Sequence, residues 1–343
     1  MNKIVLGFIG IFGLFSFALA NMLGFTNAGK ERCAMPTARQ LEFDYDVHLE
    51  KIPQGTTDLN AWLPLMPEND YQIVEETVIE PEDGYAITSD KTYGNKILHY
   101  ALKSPQTPFH INVHYKVRRL EYSNQPQERQ FITNRGRENL QEPNKYLQPS
   151  RLATISPRVK ELASKLTKGK TDTIEKARAI YDYVFQNVSY DKTIPGWGNG
   201  DTERVCDLKA GNCTDFHSLF ISLSRASNIP AKFVMGVPLT EEREGQPKGY
   251  HCWAEFYDEQ LGWVPVDISE AWKDKSKYQY FFGNLNPNRL EFTQGRDIVL
   301  EPSQQGEPLN YFLYPYIETD GKPFYDFKVS FKFREQFEEL GRR

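Results

Sequence analysis

Gly211-Asn212-Cys213-Thr214-Asp215-Phe216-His217-Ser218-Leu219-Phe220 is the stretch on which the reading of this chain turns. Phe216, Leu219, Phe220 and Leu223 recur at helical spacing, so one helix face is apolar. The spacing predicts a helix that opens at Cys213 and stops at Asn228-Ile229-Pro230. Three strand-like runs follow, over 231–237, 250–257 and 263–266. His251 lies early in the second run and Asp267 at the end of the third. This order predicts an α+β core, with the helix packed on an antiparallel sheet.

Upstream, Ser156-Pro157 reads as a helix start, Ser as N-cap and Pro as first helical residue. That helix runs to about Leu166, and Lys168-Gly169-Lys170 ends it. Asp172 or Thr173 caps a second helix to about Asn187, with Ile174, Ala177, Ile180, Tyr181 and Val184 at helical spacing. From 190 to 212 the chain reads as loop, with glycines at 196, 198, 200 and 211. No Lys-Ser or Lys-Thr follows them at the required spacing, so this is not a phosphate loop.

Further upstream the period changes to two. Leu41, Phe43, Tyr45, Val47 and Leu49 alternate with polar residues, as do Phe109, Ile111, Val113, Tyr115 and Val117. An N-terminal antiparallel β-sandwich over 38–122 is expected, followed by a polar linker over 123–150 and the core over 151–285. The tail over 286–343 reads as a β-rich extension, because Tyr325, Phe327, Val329, Phe331 and Phe333 alternate again. His110 and His114 share one strand face. With no acid or cysteine at ligand spacing on that face, they read as solvated.

A chain of 343 residues is long for one compact core, so two or more domains are the prior. The net charge of −5 and the lack of a basic stripe argue against a nucleic-acid partner. Lys3, the apolar run to Leu19 and Ala18-Leu19-Ala20 have the form of a signal peptide over 1–20. Export to the periplasm or outside the cell is the expectation. The chain would touch a membrane only through that segment, if it stays uncleaved. Four cysteines (33, 206, 213, 252) leave at most one disulfide if one of them must stay free.

Cys213, His251 and Asp267 have matching chemistry. A thiol attacks an acyl carbon as thiolate, and a helix start lowers its pKa. A histidine takes and returns the proton. A carboxylate orients the imidazole and stabilises its charged form. The Cys213 N–H is one candidate oxyanion donor, with Tyr190 or Trp197 as a second.

Four stretches now join: Gly211 to Phe216; Asn228-Ile229-Pro230-Ala231-Lys232-Phe233-Val234; His251-Cys252-Trp253-Ala254-Glu255-Phe256; and Gly262-Trp263-Val264-Pro265-Val266-Asp267. In order and spacing they resemble the transglutaminase-like superfamily, and in particular its secreted bacterial members. The resemblance is sharp over 155–285. It implies a papain-like core with Cys213 as nucleophile, His251 as base and Asp267 as orienting acid. It implies an exported acyl hydrolase or transferase acting on peptide or protein amides, cell-envelope peptides among them, with hydrolysis favoured over cross-linking. No cofactor is implied. His217 departs from the small residues common in relatives at its position. Two other readings stand beside this one. The first is a binding module for an envelope peptide or protein that keeps the fold without turnover. The second is a zinc site using Cys213, His217 and His251, since Cys213 and His217 share a helix face. Cys252 alternates away from His251 and reads as core.

Overall fold

The computed structural model describes residues 37–123 and 143–336. Residues 1–20, read above as a signal peptide, Cys33 and most of the expected linker lie outside the described residues.

In chain order the elements are β1 (Ala38–Leu49), β2 (Asp58–Pro64), β3 (Gln72–Glu80), β4 (Tyr85–Ser89), β5 (Lys96–Lys103) and β6 (Phe109–Leu120). Then come α1 (Pro157–Leu166), α2 (Thr173–Asn187), β7 (Ser189–Tyr190), α3 (Thr202–Leu208), β8 (Ala210–Gly211), α4 (Cys213–Ala226), β9 (Ala231–Pro238) and β10 (Glu244–Gly245). The rest are β11 (His251–Asp258), β12 (Gly262–Val266), α5 (Ile268–Lys273), β13 (Arg289–Gln294), β14 (Tyr316–Thr319), β15 (Lys322–Phe324) and β16 (Lys328–Glu335).

The core is a four-stranded antiparallel sheet, in the order β12-β11-β9-β13. α4 packs against β11 and β9 and also touches α1, α2 and α3. Being covered on all sides, it buries its polar residues as well as Phe216, Leu219, Phe220 and Leu223. The α+β class expected from the sequence holds. The helix starts also fall where the capping residues put them. Ser156 accepts from Val159 N, and Asp172 accepts from Glu175 N at 2.9 Å.

The stretch read as loop over 190–212 holds α3, a helix of 7 residues capped by Asp201. Too short to display an apolar repeat, it is betrayed only by its cap. The end of the linker also has structure. Pro143–Leu147 forms a 3-10 turn that buries Tyr146 edge-on against Trp263, with ring centroids 5.0 Å apart.

Two further antiparallel sheets of five strands each have the orders β10-β16-β1-β6-β3 and β15-β14-β2-β5-β4. Both recruit strands from the C-terminal stretch, β16 against β1 and β14 against β2. The region 286–343 is therefore interleaved with the N-terminal strands, and it also supplies β13 to the core sheet. Alternation marks a strand but does not name its partner.

The inward faces of these sheets and the core share one apolar cluster. Phe43 on β1 shows the connection. Its ring meets Tyr115 of β6 at 6.5 Å, Phe292 of β13 at 6.0 Å and Phe331 of β16 at 5.8 Å. Phe43 is fully buried. Phe43→Ala is therefore expected to cost about 3–5 kcal/mol in urea denaturation. A loss below about 1 kcal/mol would contradict this bridging role.

Candidate active site

Cys213 is the first residue of α4. Its position is set by a reciprocal cap. Asn212 Oδ1 accepts from Thr214 N at 2.9 Å, and Asp215 Oδ2 accepts from Asn212 N at 2.9 Å. Asp215 is buried and also accepts from Gly198 N at 2.7 Å and Gly200 N at 3.1 Å. One carboxylate thus holds both the helix start and the glycine loop before it. Gly211 must be glycine, because a Cβ there would stand 2.1 Å from Asp215 Oδ2. Tyr250 Oη adds a clamp, accepting from Asn212 Nδ2 at 2.7 Å and Thr214 Oγ1 at 3.1 Å.

His251 opens β11, and Asp267 follows β12 directly as N-cap of α5. β11 and β12 pair antiparallel, Ala254 opposite Val266, which carries His251 and Asp267 to the same end of the sheet. His251 Nε2 and Asp267 Oδ2 are 2.6 Å apart. Asp267 Oδ1 accepts from Ser269 Oγ and from Glu270 N, each at 3.0 Å. Arg289 Nη1 also donates to Asp267 Oδ2. Arg289 is 2% exposed and its guanidinium lies 5.5 Å from the Trp253 ring centroid. The sequence reading missed Arg289. It reaches the site only because β13 pairs with β9, placing Arg289 opposite Pro238.

The charges follow from these contacts. Hydrogen bonding from Cys252 holds the Cys213 thiol well below its ordinary range. Burial opposes this, and hydrogen bonding and charge from His251 reinforce it. Burial penalises a charged His251 ring, but the Asp267 carboxylate and the sulfur outweigh it and raise its pKa to about 9. Burial likewise works against an ionised Asp267, and His251 and Arg289 hold it well below the usual carboxylate range. These contacts favour a thiolate–imidazolium pair of Cys213 and His251 over the neutral pair, with an ionised Asp267 behind it.

His217 and Cys252 complete the setting. Burial lowers the His217 pKa to about 4, so its ring is neutral. Its Nε2 accepts from Ile268 N at 3.1 Å, and its other nitrogen faces Cys252 Sγ at 3.8 Å and the Cys213 carbonyl. Both nitrogens have partners, so a zinc ion held by Cys213, His217 and His251 would have to displace one of them. Cys252, read from alternation as core turned away from His251, is buried but borders the site: its Sγ lies 3.7 Å from Thr214 Oγ1 and 3.8 Å from His217 Nδ1, and it hydrogen-bonds to the Cys213 sulfur. Burial raises its own pKa and keeps it protonated. Of the two oxyanion candidates, Tyr190 lies in the field of Cys213, and burial first, then that sulfur, push its hydroxyl up to about 12. Trp197 is 39% exposed, beneath Lys192.

Residues 160–268 match the family model of the transglutaminase-like superfamily, a span that contains Cys213, His251 and Asp267. The chain is 29% identical over 326 residues to an uncharacterized protein from Haemophilus influenzae, covering 82% of this chain and 86% of that protein. It is 28% identical over 140 residues to the uncharacterized protein YebA from Bacillus subtilis, covering 36% of this chain but only 19% of YebA. Among solved structures, a proposed cysteine protease from Cytophaga hutchinsonii has a TM-score of 0.56 at 16% identity, covering 88% of this chain and 98% of that one. That likeness is one of fold. The core of this chain is transglutaminase-like.

If Cys252 donates to the Cys213 thiolate, Cys252→Ala moves the midpoint of the pH profile of Cys213 alkylation upward, toward the ordinary thiol value of about 8.5. An unchanged midpoint would remove Cys252 from the account.

Proposed function

We propose that this chain is an exported thiol-dependent acyl hydrolase that cleaves peptide or protein amides through a thioester. The observation that carries the reading is the buried His251–Asp267 contact of 2.6 Å beside a thiol at a helix start. In this reading the Cys213 thiolate attacks the amide carbon. The developing oxyanion is met by the Cys213 N–H, a first-turn amide without an intrahelical acceptor, and by the Tyr190 hydroxyl. His251, charged at the start, gives its proton to the leaving amine as the carbon–nitrogen bond breaks. The neutral imidazole then takes a proton from water. The resulting hydroxide opens the thioester, releasing the acid and restoring the thiolate. Asp267 keeps the ring oriented and Arg289 keeps Asp267 ionised.

His251 borders a cleft of about 210 Å³ with Thr240, Glu241, Glu270 and Asn288 on its walls. A neighbouring groove of about 580 Å³ shares Glu241, Lys277, Asn286 and Asn288 with it. The two adjoining openings, with charged and amide side chains among the residues on their walls, offer room for an extended peptide chain. Hydrolysis is favoured over cross-linking because water is abundant and no separate region for an amine acceptor is evident among the described residues. The signal-like segment 1–20 supports export to the periplasm or beyond. No helix among the described residues is long and apolar enough to cross a membrane.

The test is turnover of peptide amides, with the acyl-enzyme trapped by acid quench and intact mass. Cys213→Ala is expected to abolish both turnover and adduct. His251→Ala slows turnover by at least about a hundredfold. Wild-type turnover falls as pH rises through about 9, because His251 then loses the proton that the leaving amine needs. Cys213→Ala with wild-type activity would end the reading.

A further inference from the structure

The outward face of β1 and β6 carries ligand-type side chains that the sequence reading took for a solvated polar face. In the antiparallel register His48 stands opposite His110, Asp46 opposite Asn112, and Asp44 opposite His114. Directly opposed residues share a face, so strand pairing adds Asp46 and His48 to the two histidines visible along β6. His48 and His110 stack with ring centroids 4.0 Å apart and planes 11° apart. His110 Nε2 lies 3.0 Å from Asp46 Oδ1, which also accepts from Asn112 Nδ2 at 2.9 Å. One ligand atom from each of Asp46, His48 and His110 falls within 4.8 Å of the others. Among the described residues this is the one such cluster, and it lies outside the candidate active site.

We propose that Asp46, His48 and His110 form a site for a divalent transition metal of the zinc class. Two imidazoles and one carboxylate suit zinc, copper or nickel, whereas calcium and magnesium prefer all-oxygen shells. With bonds near 2.0–2.2 Å, ligand atoms around a tetrahedral ion stand about 3.4 Å apart. To bind it, the stacked His48 and His110 rings turn out of their parallel arrangement, so that one nitrogen of each points at the ion. The ion replaces the proton shared by His110 and Asp46. Asn112 stays bonded to the carboxylate and orients it, as outer-shell partners of metal ligands do. The His110 side chain is 45% exposed and that of Asp46 only 12%, so the ion enters from solvent onto an anchored carboxylate, with water in the fourth position. Lys328 of β16 stands opposite His48, and its charge opposes a cation there. Asp44 and His114, 2.8 Å apart, lie two residues further along the same face.

The test is calorimetric titration of chelator-stripped full-length protein with zinc chloride, in wild type, Cys213→Ala, His48→Gln, His110→Gln and Lys328→Ala. One equivalent is expected in wild type and equally in Cys213→Ala, which separates this site from the active-site thiol. Losing a ligand must cost at least the roughly tenfold in affinity that losing an outer-shell partner costs, so His48→Gln and His110→Gln each weaken binding by that much or more. Lys328→Ala tightens it. These side chains face outward, and circular dichroism of each metal-free variant controls for folding. Absence of saturable uptake, uptake that survives both histidine changes together, or uptake lost in Cys213→Ala would overturn the proposal.

Discussion

The Asp267 carboxylate is the constraint on which the site depends. It is fully buried, and a buried charge is tolerated only when it is paired and hydrogen-bonded. Asp267 has His251 and Arg289 as charged partners and Ser269 and Glu270 N as donors. These partners arrive on three elements: β11, β13 and α5. Satisfying this one group fixes how those elements meet at the end of the sheet. Removing one partner of such a buried pair costs about 3–5 kcal/mol, because the other charge is left uncompensated.

The consequence passes outward to the thiol. A negative Asp267 raises His251 against its burial, and a charged His251 adds to the Cys252 hydrogen bond in lowering Cys213. The start of α4 adds its unpaired amides and its dipole. The cap itself rests on Asp215, which ties the glycine loop to Asn212. The apolar cluster shared with the two outer sheets gives these groups a rigid, dry support. The C-terminal strands therefore matter to the site: β13 carries Arg289 into it, and β16 and β14 extend the outer sheets whose inward faces share the apolar cluster with β13.

Much of this was legible in the sequence, and the gaps have a common cause. Local signals carried over well. The cap residues Ser156 and Asp172 start their helices, and the apolar repeat of Phe216, Leu219, Phe220 and Leu223 marks α4. Alternation marks β1 and β6. Cys213, His251 and Asp267 could be proposed because each sits at an element end with a recognisable flank. What escaped depends on pairing between distant strands. Arg289 needs the β13–β9 register, the interleaved tail needs β16 against β1, and the Asp46–His48–His110 cluster needs β1 against β6. Helix α3 escaped for another reason, its 7 residues being too few to show a period.

The central claim is that His251 activates Cys213. The most direct measurement is mass spectrometry after a brief iodoacetamide pulse near neutral pH, on folded, reduced and metal-free protein, comparing wild type with His251→Ala. The account predicts fast labelling of Cys213 alone among the thiols, and a marked slowing in His251→Ala. Slow or indiscriminate labelling in wild type, or labelling indifferent to His251, would contradict it.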